Sequence, residues 1–333
     1  MKKKILSLAL AAVLTLGLSV TAFAAEEPTD MTSVTITKTY SAKNEGTTSP
    51  AETFAFTIEN TSVTDAATGV TKDSMPTPTI DNVTYTAGEA GSENAAKNIT
   101  ITLPQYTSVG VYTYTINETA GTTAGVTYYS SDIKLVVTVI EGTDGKLRIA
   151  AVHTEDTTEQ GAQKSDDITN TYSAGSLAVG KTVTGNLGDK TKGFKVTVTF
   201  TAPEGKTVNE AISYVVGVTT QTIATSDWDE GVATAVITLK DAETITFTNI
   251  PYDVTYTVVE DDYTSDGYDE ATYNFSDSSK KIDSVSDTVQ ITNNKNSEVD
   301  TGINLDSLPY IMILVVLAGA AVVLFVSKKR RVE

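Results

Sequence analysis

Between Thr32 and Asn296 the chain is built from short runs in which β-branched or aromatic residues alternate with polar ones. The clearest are Val34-Thr35-Ile36-Thr37, Val111 to Ile116, Lys134 to Ile140, Lys195 to Phe200, Thr244 to Phe247 and Val254 to Val259. A period of two puts apolar side chains on one face of a strand and polar ones on the other. Turn residues separate the runs, as in Glu141-Gly142-Thr143-Asp144-Gly145, Gly185 to Asp189 and Ser265-Asp266-Gly267. The pattern predicts an all-β fold of two tandem immunoglobulin-like β-sandwiches. Thr61 to Asn98 reads as long surface loops around one short strand near Val83-Thr84-Tyr85-Thr86. Thr154 to Asp167 reads as a polar, acidic connection, and Asp261 to Lys281 as a solvated acidic loop.

Two apolar stretches break this pattern, one at each end. Met1 to Ala24 has Lys2, Lys3 and Lys4, an apolar region from Ile5 to Val20, and the small-x-small site Ala22-Phe23-Ala24, which together predict a secretory signal peptide. Leu308 to Val326 is about long enough to cross a bilayer as a helix, and Lys328, Lys329, Arg330 and Arg331 after it would stay on the cytoplasmic side. The expected organisation is a signal peptide over 1–24, a first β-domain over 25–172, a second over 173–296, and a C-terminal region over 297–333 with its transmembrane segment at 308–326.

The two domains repeat one order of residues. The first copy has Lys38 at the end of Val34-Thr35-Ile36-Thr37-Lys38, then Glu118 after Tyr112 to Asn117, then Asn170 in Ile168-Thr169-Asn170. The second has Lys181 after Leu177 to Gly180, Glu260 after Tyr256 to Val259, and Asn293 in Ile291-Thr292-Asn293. The lysine and glutamate are 80 positions apart in one copy and 79 in the other, the mark of a duplicated domain. Strand parity puts all six polar residues on the apolar, core-facing side.

A lone lysine in a core is costly, so it needs partners or must lose its charge. Burial favours the neutral amine, which is a nucleophile. A protonated glutamate beside it can hydrogen-bond the asparagine carbonyl and shuttle protons. Attack of the amine on the side-chain amide with loss of ammonia would leave a Lys–Asn isopeptide bond. The plainer alternative is two buried salt bridges with an asparagine nearby.

Composition narrows the remaining choices. There is no cysteine, so disulfides and thiol chemistry are excluded. A single histidine, His153, speaks against histidine metal sites and hydrolytic triads. A formal charge of -18 speaks against binding nucleic acid. No cofactor or metal is expected.

Thr255 to Tyr263, Ile291-Thr292-Asn293, Lys181 to Gly185, Lys192-Gly193-Phe194 and Glu298-Val299-Asp300-Thr301-Gly302 together resemble the major, or backbone, pilins of group A streptococci. That resemblance implies Cna-B-like isopeptide-linkage domains, with Lys38 bonded to Asn170 with the help of Glu118, and Lys181 to Asn293 with the help of Glu260. The motif from Glu298 to Gly302, the apolar span and the basic tail resemble a Gram-positive cell-wall sorting signal, with Asp300 where the pilin variant has proline. The resemblance implies that a sortase cuts between Thr301 and Gly302 and joins Thr301 to a lysine of the next subunit, for which Lys164 is the nearest candidate. The implied partners are sortase, neighbouring pilin subunits and peptidoglycan, and the implied location is a pilus on the cell wall. Two readings stand at this point: a pilus shaft subunit, or a single wall-anchored adhesin or tip protein.

Overall fold

The computed structural model describes residues 30–92, 95–156, 167–297, 312–314 and 317. The signal peptide, Lys164 and Glu298 to Gly302 lie outside the described residues. Of the C-terminal apolar run, Met312, Ile313, Leu314 and Leu317 are helical. Among the described residues no helix is long and apolar enough to cross a membrane.

Among the described residues the first half has ten strands: β1 (Ser33–Ala42), β2 (Glu52–Thr64), β3 (Thr79–Ile80), β4 (Val83–Tyr85), β5 (Ala96–Thr102), β6 (Gly110–Thr119), β7 (Val126–Thr127), β8 (Ile133–Glu141), β9 (Leu147–Asp156) and β10 (Asp167–Tyr172). They form two sheets, in the order β3-β5-β1-β10-β7 and β4-β2-β6-β8-β9. Alternation works as the sequence predicts. Along β6, Tyr112, Tyr114 and Ile116 are buried while the intervening Thr113 and Thr115 are not. The inner faces of both sheets share one core, in which Tyr40, Phe54 and Tyr85 meet edge to face at centroid distances of 5.2 to 5.7 Å.

The second half has β11 (Ala174–Thr184), β12 (Phe194–Thr201), β13 (Ile212–Val216), β14 (Thr219–Ile223), β15 (Val232–Leu239), β16 (Thr244–Pro251), β17 (Thr255–Glu260), β18 (Thr272–Phe275) and β19 (Ser286–Asn294). Its sheets run β14-β13-β16-β11-β19-β18 and β15-β12-β17 around a second core. In both halves the first and last strands are neighbours and parallel: β1 beside β10, and β11 beside β19. Parallel partners need a long connection. Here that connection is the rest of the half.

The region Thr61 to Asn98 differs from the loop expectation. β2 continues past a bulge at Asn60/Ser62 to Thr64, and Ala96 to Asn98 already belong to β5. Met75 and Tyr85 are buried in the core. The Tyr85 hydroxyl donates to the Lys38 carbonyl at 2.7 Å and the Ala95 carbonyl at 3.0 Å, and the Asn60 side-chain amide donates to the Met75 carbonyl at 3.0 Å. Val83 to Tyr85 form the short strand that the sequence predicts, as β4, whereas a single anchor such as Met75 carries no periodic signal. The acidic connection is also shorter than expected, because β9 runs through Thr154 and Glu155.

Ser173 alone separates β10 from β11, and the two halves are bonded on both sides of that crossing. On one side Asn44 donates through Nδ2 to the Ala174 carbonyl at 2.6 Å and the Tyr252 hydroxyl at 2.9 Å. On the other, Thr123 and Thr207 form a parallel bridge, with Ala124 N to Thr207 O and Thr207 N to Thr122 O both at 2.8 Å. Ala124 is buried in the second half's core. Gly125 makes this crossing possible. Its φ is +78°, and an added Cβ would stand 2.6 Å from the Ser173 carbonyl and 3.0 Å from the Tyr172 ring. Gly125→Ala is therefore expected to cost about 2 kcal/mol or more from backbone strain alone, read as a lowered denaturant midpoint with unchanged slope.

Candidate functional site

The structure brings Lys38, Glu118 and Asn170 together, and Lys181, Glu260 and Asn293 together, at the same place in each half. Lys38 on β1 stands opposite Ile168 of β10, with Asn170 two residues further on the same face. Lys181 on β11 stands opposite Ile291 of β19, with Asn293 two further on. The glutamate comes from the facing sheet in both cases: Glu118 on β6 pairs with Phe56 of β2, and Glu260 on β17 pairs with Val196 of β12. The residue order noted in the sequence is thus one spatial arrangement used twice.

Within the first site, Lys38 Nζ donates to Glu118 Oε2 at 2.5 Å, and both side chains have no solvent exposure. Asn170 donates through Nδ2 to Glu118 Oε1. The Asn170 carbonyl Oδ1 accepts the backbone N–H of Tyr129 at 2.9 Å. Lys38 Nζ lies 4.5 Å from the Phe54 ring centroid and 6.0 Å from that of Phe56. In the second site, Lys181 Nζ lies 2.8 Å from Glu260 Oε2, again with no exposure on either side chain. It donates to Asn293 Oδ1. Asn293 Nδ2 donates to Glu260 Oε1 at 2.5 Å, and Nζ lies 4.2 Å from the centroid of Phe194.

Burial is the dominant influence on both amines. It pushes Lys38 down to about 8, against the opposing hydrogen bond and charge of Glu118. Lys181 is also lowered, by burial first, with Glu260 and Asp241 pulling the other way. Each amine thus lies nearer its neutral form than an exposed lysine does.

One detail differs from the sequence expectation. The carboxylates meet the nitrogens of the triad, accepting from the asparagine Nδ2, and do not touch its carbonyl oxygen. A glutamate so placed bridges the amine that would lose a proton and the amide nitrogen that would need one. The aromatic rings around the amines went unread as site residues, although Phe54 and Phe56 alternate on β2 and Phe194 follows Lys192-Gly193. The backbone N–H of Tyr129 has no sequence signature.

Among the described residues no group of acidic or histidine side chains is arranged to hold a metal ion. His153 is half-buried on β9, 3.0 Å from Glu155 Oε1.

Residues 34–173 match a family described as the Spy0128-like isopeptide containing domain. Residues 175–295 match a family described as "Domain of unknown function (DUF7601)". The pilin of Streptococcus pyogenes serotype M1 is 28% identical over 340 residues, covering 94% of this chain and 97% of that protein.

The chain is similar to the pilins.

Two solved structures show the shared fold. The major pilin from Streptococcus pyogenes has a TM-score of 0.54 at 23% identity, covering 81% of this chain and 100% of that one. The T3.2 major pilin of the same species has a TM-score of 0.53 at 21% identity, covering 80% and 99%. The pilin match and the isopeptide-domain match together support a structural subunit of a pilus.

The ion pairs yield a direct test. Asn170→Ala and Glu118→Ala both remove a triad member, but only the second leaves the Lys38 ammonium buried without a carboxylate. Glu118→Ala is expected to be less stable than Asn170→Ala by about 3–5 kcal/mol in denaturant unfolding of the first half.

Proposed function

We propose that this chain is a shaft subunit, polymerised covalently by a sortase, whose two domains each close themselves with an isopeptide bond. The observation that carries the proposal is the pair of buried Lys–Glu–Asn triads. They stand in equivalent register, and each spans the first and last strands of its half.

The neutral Lys38 amine attacks Asn170 Cγ. Glu118 takes a proton from Nζ and delivers one to Nδ2, the Cγ–Nδ2 bond breaks, and ammonia leaves. Lys181, Glu260 and Asn293 do the same in the second half. Each site turns over once, on itself, so the chain is a self-modifying structural protein. Such a bond closes nearly the whole domain as a loop and restricts the unfolded state, as a long-loop disulfide does. It does so in a chain with no cysteine.

Export would use residues 1–24. The apolar run 308–326 and its basic tail would hold the chain in the membrane until a sortase cuts between Thr301 and Gly302. Lys164 of the neighbouring subunit would then take the Thr301 carbonyl. The last subunit added would pass to peptidoglycan, directly or through a basal pilin.

Two measurements test this reading. The purified chain should be lighter than its sequence by the mass of two ammonias, and Glu118→Ala and Glu260→Ala should each restore one; an unchanged mass in the wild type would defeat the bonds. The pH dependence of bond formation should follow the Lys38 ammonium, because the attacking amine is neutral. With Lys38 near 8, the rate in the first half should rise about tenfold per pH unit below pH 8 and level off above it.

Polymerisation is read separately. A cell-wall extract boiled in detergent should show a high-mass ladder that collapses with Lys164→Ala. A surviving ladder would move the acceptor to another lysine, and a wild type that runs only as a monomer would sink the shaft reading.

A further inference from the structure

We propose that the backbone N–H of Tyr129 is the oxyanion donor of the Lys38–Asn170 reaction, an inference that rests on reading that triad as an isopeptide-forming site. When Nζ attacks Asn170 Cγ, the carbonyl π electrons move to Oδ1, and negative charge develops there. Both oxygens of Glu118 are committed to nitrogen, Oε2 to Lys38 Nζ and Oε1 to Asn170 Nδ2. The group that faces Oδ1 is the Tyr129 N–H, at 2.9 Å. A backbone amide neither titrates nor swings away, so it is in place before the charge appears, which is what makes such donors effective.

The fold explains why that amide is held there. β7 pairs antiparallel with β10 through Thr127↔Thr171 and Val126↔Tyr172, so the chain leaving β7 runs along the strand that carries Asn170. Tyr128 pins the exit, with its hydroxyl accepting from Thr123 N at 3.3 Å and its ring 6.0 Å from that of Phe54. The Tyr129 side chain packs against the first core. The division of labour in the first half is then complete. Glu118 moves the proton from Nζ to Nδ2, Tyr129 N–H holds the oxyanion, the Cγ–Nζ bond forms, and the Cγ–Nδ2 bond breaks with release of ammonia.

The second half is built differently at this point. The strand beside β19 on that side is β18, and the donor to Asn293 Oδ1 is Lys181 Nζ itself. Residue 129 therefore acts on one bond only, and the other serves as an internal control in the same molecule.

The test replaces the residue 129 amide with an ester, by incorporating the α-hydroxy analogue of tyrosine into the full-length chain. The side chain stays and the N–H is removed. Freshly translated chain is sampled over time, and ammonia loss is followed separately in the peptides that carry Lys38–Asn170 and Lys181–Asn293. The expected result is a fall of about 100-fold or more in the first rate with the second unchanged. Tyr129→Phe, which keeps the N–H, should react at the wild-type rate.

An unchanged first rate in the ester variant overturns the assignment, and so does an equal slowing of both bonds, which would be a folding effect. Hydrogen exchange on the wild-type chain decides the matter if the ester variant does not fold. The Tyr129 amide should be among the protected amides of the first half, and exchange as fast as an exposed loop refutes the proposal. A wild type that loses no ammonia at all defeats the isopeptide reading itself, an outcome distinct from a wild type that links normally beside an ester variant that does the same.

Discussion

Everything distinctive in this molecule follows from placing a lysine amine where water cannot reach it. An ammonium moved into an apolar interior loses several kcal/mol of hydration, and the rings of Phe54, Phe56 and Phe194 return only part of that. A carboxylate from the facing sheet is therefore obligatory in each half. Once that carboxylate is present it too needs partners, and the asparagine amide supplies one. The three side chains are mutually dependent, and the cost of holding them apolar-side-in is what brings their reactive atoms into contact.

The topology makes the contact useful. Because first and last strands lie side by side and parallel, residues from opposite ends of a half meet in one sheet, and the glutamate reaches them from across the core. The two halves reach this arrangement with different numbers of strands and different edge partners: β7 flanks β10, whereas β18 flanks β19. What they hold in common is the register between lysine and asparagine. The polar seam around Ser173, with Asn44 on one side and Thr123, Thr207 and Ala124 on the other, binds the halves to each other without a linker.

Much of this was legible from residue patterns. Period-two alternation identified the strands, and parity placed Lys38, Asn170, Lys181 and Asn293 inward, because a side chain's face depends only on counting by twos. Other features left no such trace. Met75 anchors a polar region by itself and contributes to no periodic signal, unlike Tyr85, which alternates with Val83 on β4. The β13–β14 hairpin turns at Gly217 and Val218, where only one glycine marks the turn in the run Tyr214 to Val218. The atom each glutamate oxygen meets, and the amide that faces Asn170 Oδ1, depend on distances of a few tenths of an ångström. Backbone groups are the same at every position, so their placement belongs to the fold and not to any letter of the chain.

The parallel pairing has a mechanical meaning as well. Tension applied to the second half arrives at Ala174, where β11 begins, and leaves beyond Asn294, where β19 ends. Two parallel strands pulled from opposite ends are loaded in shear, so the registered pairs from Ser176↔Ser286 to Thr184↔Asn294 resist together. An antiparallel pair entered and left at one end would instead peel open a rung at a time. With Ser173 as the only residue between β10 and β11, little slack separates the halves, and tension leaving one parallel pair enters the next almost at once.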